Sequence, residues 1–334
     1  MPSLPENSPA RINIRVQRWV AMLAIALFVV KSAAYFITNS VAVLTDALES
    51  IVNVLAGLMG LYSLTLSAKP RDSDHPYGHG KAEFISAGVE GTLIVISGLL
   101  ILFEAVRNLI HPEPISSIDK GMLLISVTAV LNFLMGHYAV ITGKRHRSLA
   151  LVASGKHLKS DTYSTLGILL GLAVVYFTRI EWIDRAVALG FAVYIIYYGY
   201  GILRQALAGI MDESDQELIA RVVEVLNANR TENWIDLHNL RVIKYGSVLH
   251  LDAHLTVPWY MRVSDAHKEI ESMMKLLRDH FGESLELFVH SDHCMDFSCR
   301  LCSKKECAVR KADFERRLEW SIENVSKDTR HRLL

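Results

Sequence analysis

Six long apolar runs, separated by short polar breaks, set the limits on what this chain can fold into. Crossing about 30 Å of hydrocarbon takes about 20 mostly apolar residues in a helix. Inside lipid, only helices and closed barrels satisfy their own backbone polar groups. The runs cover Gln17–Ile37, Ser40–Ser67, Ala82–Ile110, Lys120–Thr142, Leu149–Thr178 and Ile183–Met211. Polar punctuation divides them, for instance Thr38-Asn39, Lys69-Pro70, His111-Pro112-Glu113-Pro114 and Lys144-Arg145-His146-Arg147. Charges are sparse between Val20 and Met211 and dense after Asp212, and 51% of all residues are hydrophobic. The expected fold is an α-helical membrane bundle of six transmembrane helices, followed by a small α+β cytoplasmic domain and a Cys-containing tail. Residues 1–16 form an N-terminal segment, 17–211 the membrane domain, 212–292 the soluble domain and 293–334 the tail. Met1–Pro9 is polar and lacks the apolar core of a cleaved signal. With formal charge zero, nothing points to a nucleic acid partner.

Positive residues orient such a bundle. Arg11, Arg15 and Arg18 precede the first run; Lys69, Arg71 and Lys81 follow the second; Lys144, Arg145 and Arg147 follow the fourth. The opposite loops are poorer in Lys and Arg, so both termini are expected in the cytoplasm.

After Asp212 the periodicity changes. Asp215–Asn229 reads as an amphipathic helix with Leu218, Ile219, Val222, Val223 and Leu226 on its apolar stripe. Leu237–Ile243 and Val248–Val257 alternate as half-buried strands around the Tyr245-Gly246-Ser247 turn. Ser264–Phe281 reads as a second helix and Leu285–His290 as a third strand. In the tail, Phe314, Leu318, Ile322 and Val325 are spaced as one face of a helix over Lys311–Val325.

Two i,i+4 pairs stand inside the apolar runs: Glu49 with Asn53, and His157 with Asp161. Residues so spaced share a helical face, and a charge at a membrane helix centre costs about 2.5–3.5 kcal/mol on insertion scales. Brought together, the two pairs offer carboxylate, imidazole and amide oxygen, a donor set suited to first-row divalent ions such as Zn²⁺. The alternative is that each is an isolated polar residue used in helix packing. A second group, Asp72, His75 and His79, has metal-ligand spacing in the loop after the second run; the alternative there is a solvated polar loop. Lys159 lies about 200° around the helix from His157 and is expected to pair with an acid such as Glu90 or Asp46.

Taken together, Thr45-Asp46-Ala47-Leu48-Glu49 through Asn53, the Asp72 to Lys81 loop, His157-x-x-x-Asp161, six spans and a trailing α+β unit resemble the cation diffusion facilitators. The resemblance runs from about Arg18 to Asp292. It implies a homodimeric exporter in a lipid bilayer that exchanges a cytoplasmic divalent metal, most often zinc, for protons. It places the transport site at Glu49, Asn53, His157 and Asp161, and a loop site at Asp72, His75 and His79. It also implies metal binding at His238, His254, His267, His290 and Asp292 in the cytoplasmic domain, where metal bridges two protomers. Zinc-transporting relatives usually carry Asp or His at the position of Glu49 and Asp at that of Asn53, so Mn²⁺, Fe²⁺, Co²⁺ and Ni²⁺ stay open as substrates. The lack of a long His-rich loop between the fourth and fifth spans favours a bacterial inner-membrane member.

Beyond the resemblance lies Cys294-x₄-Cys299-x₂-Cys302-x₄-Cys307. Its central C-x₂-C is half of a typical structural zinc site, and a reducing cytosol argues against disulfides. An accessory metal site is expected, with a flexible reactive-thiol tail as the alternative. A membrane metalloenzyme is disfavoured, since there is no H-E-x-x-H motif. A metal-sensing or scaffold protein of the same fold that has lost transport is the competing reading.

Overall fold

The computed structural model describes residues 8–38, 41–110, 121–178, 182–246, 248–282 and 284–333, with side chains left undescribed over 34–49, 111–125 and most of 168–188. Two compact units divide the chain, Met1–Met211 and Asp212–Leu334.

Six helices build the first unit: α1 (Pro9–Thr38), α2 (Val41–Ser67), α3 (Ala82–Ile110), α4 (Gly121–Arg145), α5 (Leu149–Thr178) and α6 (Trp182–Ile210). Their lengths of 25–30 residues suffice to cross a bilayer. Among the described residues, α1 to α4 each carry an apolar window that meets a span's composition. The first helix starts at Pro9, eight residues before the apolar run, because Asn13, Val16 and Gln17 are buried against neighbouring helices. Asn13 meets His146 at 2.7 Å, and the Gln17 amide donates to the Gly57 carbonyl at 3.1 Å.

The helices pack mainly as pairs: α3 on α6, α4 on α5 and α1 on α2. In lipid, close backbone approach replaces hydrophobic collapse as the force between helices. Gly136 and Gly155 show this at the α4–α5 crossing. A β-carbon on either would stand 2.7 Å from the other's carbonyl oxygen. Buried polar groups are tied across helix ends. Glu83 accepts from Ser67 at 3.1 Å and from Ser148 at 2.5 Å, while Ser63 donates to the Ala82 carbonyl at 2.8 Å.

The second unit contains α7 (Gln216–Ala228), β1 (Asp236–Tyr245), β2 (Val248–Val257), α8 (Val263–Phe281), β3 (Leu285–His293) and the short α9 (Ile322–Val325). Sheet order is β1-β2-β3, with β1 and β2 antiparallel and β2 and β3 parallel. Asp215 caps α7 by accepting from Leu218 N–H at 3.0 Å, and all five residues of the expected stripe are buried. They share a core with the sheet and with Leu277 and Phe281 of α8.

The expected helix over Lys311–Val325 does not form; only Ile322–Val325 is helical. What prevails is long-range anchoring. Trp320 and Val325 enter the domain core, and the Arg230 guanidinium stacks 3.9 Å from the Trp320 ring. Arg230 also donates to the Leu318 carbonyl at 2.6 Å. Residues 293–333 therefore pack with the second unit.

Candidate metal centres

Helices α2 and α5 bring three of the four intramembrane residues together. Asn53 Nδ2 donates to Asp161 Oδ2 at 2.7 Å, and His157 Nε2 lies 2.9 Å from Asn53 Oδ1. An ionised carboxylate only accepts, so Asp161 orients the amide and turns its oxygen toward His157. His157 is buried and Asp161 half-buried. Glu49, one turn before Asn53, belongs to α2, but its side chain lies outside the described residues, as does that of Asp46.

One member of this neighbourhood was missed from sequence. Glu90 of α3 is fully buried and lines, with Asn53, His157 and Ser154, a cavity of 10 Å³. Ser154 Oγ donates to its Oε1 at 2.6 Å, and Oε2 has no hydrogen-bond partner among the described residues. Its sequence signal is an acid mid-run in the third span, where spacing alone suggests only a counter-ion for Lys159. For Glu90 the structure corrects that pairing, while the Asp46 alternative lies outside the described side chains. Lys159 Nζ sits 5.5 Å from the Phe133 ring centroid, on the side of α5 facing α4, and Glu90 is engaged by Ser154.

In the loop between α2 and α3, ligand atoms of Asp72, His75 and His79 lie within 4.8 Å of one another. Asp72 Oδ1 accepts from the backbone N–H groups of His75 at 2.7 Å and Asp74 at 3.1 Å. Its two oxygens also meet His75 Nδ1 at 3.0 Å and His79 Nε2 at 3.4 Å. The backbone N–H of His75, then its ring, hold the Asp72 carboxyl below its ordinary value against the opposing effect of desolvation. Gly78, at φ +89°, makes the turn that returns His79 to the aspartate.

The soluble unit builds its cluster from strand register. His238 pairs with His254 across β1–β2, and His254 with His290 across β2–β3. Residues opposite one another share a face, so one row of the sheet carries three imidazoles, with centroids 5.1 and 4.8 Å apart. Asp292, two residues beyond His290 and hence on the same face, meets His238 Nε2 and His254 Nδ1 at 3.3 Å each, and His290 Nε2 at 3.6 Å. His267 is not brought into this row. It is exposed on α8, 3.6 Å from Glu271.

Two further groups close on the row without any sequence signal, because they arrive from the end of the chain. Arg330 reaches Asp292 Oδ1 at 2.5 Å, and His331 bonds Asp236 at 2.5 Å. Desolvation pushes the Asp292 carboxyl up, but the Arg330 guanidinium together with His238 and His254 brings it below its ordinary value. Burial lowers His238, opposed by Asp236 and Asp292. The four cysteines, all free thiols, line one small cavity beside Pro258 and Tyr260.

Comparison with known proteins places these centres in context. Residues 18–211 match the family model described as the cation efflux transmembrane domain, and residues 214–294 that of the cation efflux protein cytoplasmic domain. An uncharacterised transporter of Synechocystis sp. is 32% identical over 250 residues, covering 75% of this chain and 81% of the relative. The cation-efflux pump FieF of Pectobacterium atrosepticum is 27% identical over 277 residues, covering 81% and 89%. The Yersinia pestis pump of the same name is 28% identical over 293 residues, covering 83% and 94%.

Proposed function

This chain belongs to the cation diffusion facilitator family of divalent metal transporters, and we propose that it exports a first-row divalent metal, zinc foremost, from the cytoplasm in exchange for protons. One observation carries the reading: Asn53, His157 and Asp161 converge from two helices of the membrane domain. Helix packing alone has no need of an acid, an imidazole and an amide at one point, where each polar group is expensive.

The cation enters between α2 and α5 and breaks two hydrogen bonds, Asn53 to Asp161 and His157 to Asn53. It takes in their place a carboxylate oxygen, an imidazole nitrogen and the amide oxygen, with Glu49 as the fourth donor from α2. Ligation needs neutral imidazole and ionised carboxylate, so binding releases whatever protons those groups held. His157 is suited to carry a proton, since imidazole titrates near physiological pH. Asn53 brings no acid, and Glu90 is the carboxyl group placed to exchange a proton with the same cavity. Rocking of the bundle then opens the site outward, the general logic of secondary transporters.

The soluble unit acts as a dimerisation domain whose His238, His254, His290 and Asp292 row takes up cytoplasmic metal. Metal held there couples cytoplasmic metal level to protomer arrangement. His267 stands outside this row, on the wall of a cavity that Asp292 and His293 also line. We place both termini on the cytoplasmic side of a bacterial inner membrane, as the Lys and Arg distribution supports. The loop Asp72, His75 and His79 serves as a capture site near the cytoplasmic entrance.

The test is metal flux into proteoliposomes. A pH gradient drives uptake by the unaltered protein, and Asp161→Ala abolishes it. Absence of flux for every divalent ion tried, with metal binding to the soluble unit intact, would leave a sensor in place of a transporter.

A further inference from the structure

The segment 301–321 has no helix or strand, yet it runs between buried anchors, with Leu301 and Cys302 at one end and Trp320 at the other. An irregular stretch of this length inside a compact domain is uncommon and needs something other than backbone ladders to hold it. Part of the answer is Arg310. Its guanidinium donates to the carbonyls of Cys299 at 3.0 Å, Cys302 at 3.1 Å and Lys304 at 2.6 Å. These bonds gather the segment around the four cysteines.

Cys294, Cys299, Cys302 and Cys307 line a single cavity of 20 Å³, which exceeds the ~10–15 Å³ that one water-sized occupant needs. Cys294 ends the strand side, directly after β3, and its sulfur accepts from the Trp259 N–H at 3.4 Å. Cys299 is presented by a 3₁₀ turn over Asp296–Arg300, and its sulfur accepts from the Lys311 N–H at 3.4 Å. Tyr260 also stands on the cavity wall. Two cations, Lys304 and Arg310, border the same space. A divalent ion with four thiolates carries a net charge of −2, which these two side chains balance.

We propose that Cys294, Cys299, Cys302 and Cys307 bind one zinc ion as a structural site that fixes the C-terminal segment to the soluble domain. Four cysteines with a central C-x₂-C are a closed tetrahedral donor set, the kind that holds structural and not catalytic zinc. Binding exchanges protons for metal: four thiols lose four protons to solvent, and four zinc–sulfur bonds form. The ligand atoms stand wider apart than those of the two His-containing clusters. Reaching zinc–sulfur bonds of about 2.3 Å requires the irregular segment to close inward. The function goes beyond transport. By locking residues 294–307, the ion fixes the start of the irregular segment against the domain that Trp320 anchors at its other end.

Cobalt substitution of the full-length, detergent-purified protein separates this site from the others. Every other candidate centre has only nitrogen and oxygen donors, whereas thiolate ligation gives a sulfur-to-cobalt charge-transfer band in the near ultraviolet and strong visible bands of tetrahedral cobalt. The expected result is that these bands appear in the unaltered chain and are lost in Cys302→Ser, with loss of one zinc per chain by elemental analysis. Should the variant not fold, the unaltered protein still decides through alkylation. Zinc shields the four thiols from iodoacetamide, and chelation exposes them. The proposal is overturned if cobalt-loaded protein shows no thiolate band. It is also overturned if alkylation is indifferent to zinc, or if the four cysteines are recovered as disulfides from protein purified without oxygen.

Discussion

Replacing Asn53 by Asp tests the transport site through its proton count. In the structure the amide donates to Asp161 at 2.7 Å, so an Asp in its place sets two carboxylate oxygens at about that separation. Two unit charges 2.7 Å apart repel by about 6 kcal/mol at an effective dielectric constant of about 20. The variant pair therefore shares a proton at neutral pH, where the Asn53–Asp161 pair uses an N–H from the amide. A divalent cation entering the variant site must expel that proton. The assay is zinc titration of both proteins in weakly buffered detergent solution with a pH indicator. Asn53→Asp is expected to release about one more proton per chain on saturation, and its zinc affinity is expected to fall more steeply as pH drops. Contributions from the loop, the histidine row and the cysteines are common to both proteins and cancel. Equal proton release, with equal pH dependence of affinity, would refute the convergence of Asn53 and Asp161 on one ion.

Glu90→Gln keeps the shape of the cavity and the Ser154 contact but removes an exchangeable proton; metal binding is expected to persist while pH-driven flux is lost, and an unchanged flux–pH profile would remove Glu90 from the mechanism. Arg330→Ala frees an oxygen of Asp292 from a charge-assisted hydrogen bond of about 1.5–3 kcal/mol, so zinc affinity at the histidine row is expected to rise by about tenfold or more, read by calorimetry in an Asp161→Ala background. A fall in affinity would mean that Arg330 braces the site and does not compete for it. Asp215→Ala removes the α7 cap and the partner of Lys244, at a cost of about 1 kcal/mol of stability. Burial pushes the Asp215 carboxyl up, but Lys244 and the Leu218 N–H bring it below its ordinary value. Its contribution is thus present above the unfolded-state pKa and disappears as pH falls through the folded-state one. The melting-temperature gap between variant and parent should close in acid, and a gap independent of pH would contradict this role.

The parts of the fold that rest on local periodicity were readable from residues alone. Apolar runs of span length return as α2 to α6 with ends within a few residues, since lipid leaves a polar backbone no alternative to the helix. Alternation in Val248–Val257 fixes which face His250 and His254 share, and the register then aligns His238 and His290 with His254. The i,i+4 spacing in α5 likewise puts His157 and Asp161 on one face toward α2. Interactions between distant segments were not readable. The spacing of Phe314, Leu318 and Ile322 suggests a helix, but Phe314 is exposed while Trp320 is drawn into the core by contacts some ninety residues away in sequence. Lys159 turns toward a Phe133 ring one helix away and not toward Glu90, which Ser154 engages. Arg330 and His331 carry no motif at all, and their role exists only because the chain end returns to the sheet.

The most direct examination of the central claim is anomalous diffraction at the zinc edge from zinc-soaked crystals of the full chain. A peak between α2 and α5, within coordination distance of Asn53 Oδ1, His157 Nε2 and Asp161, is the expected result, and it should vanish in Asp161→Ala. Density confined to the loop, the histidine row and the cysteines, with the Asn53–Asp161 hydrogen bond intact, would contradict it.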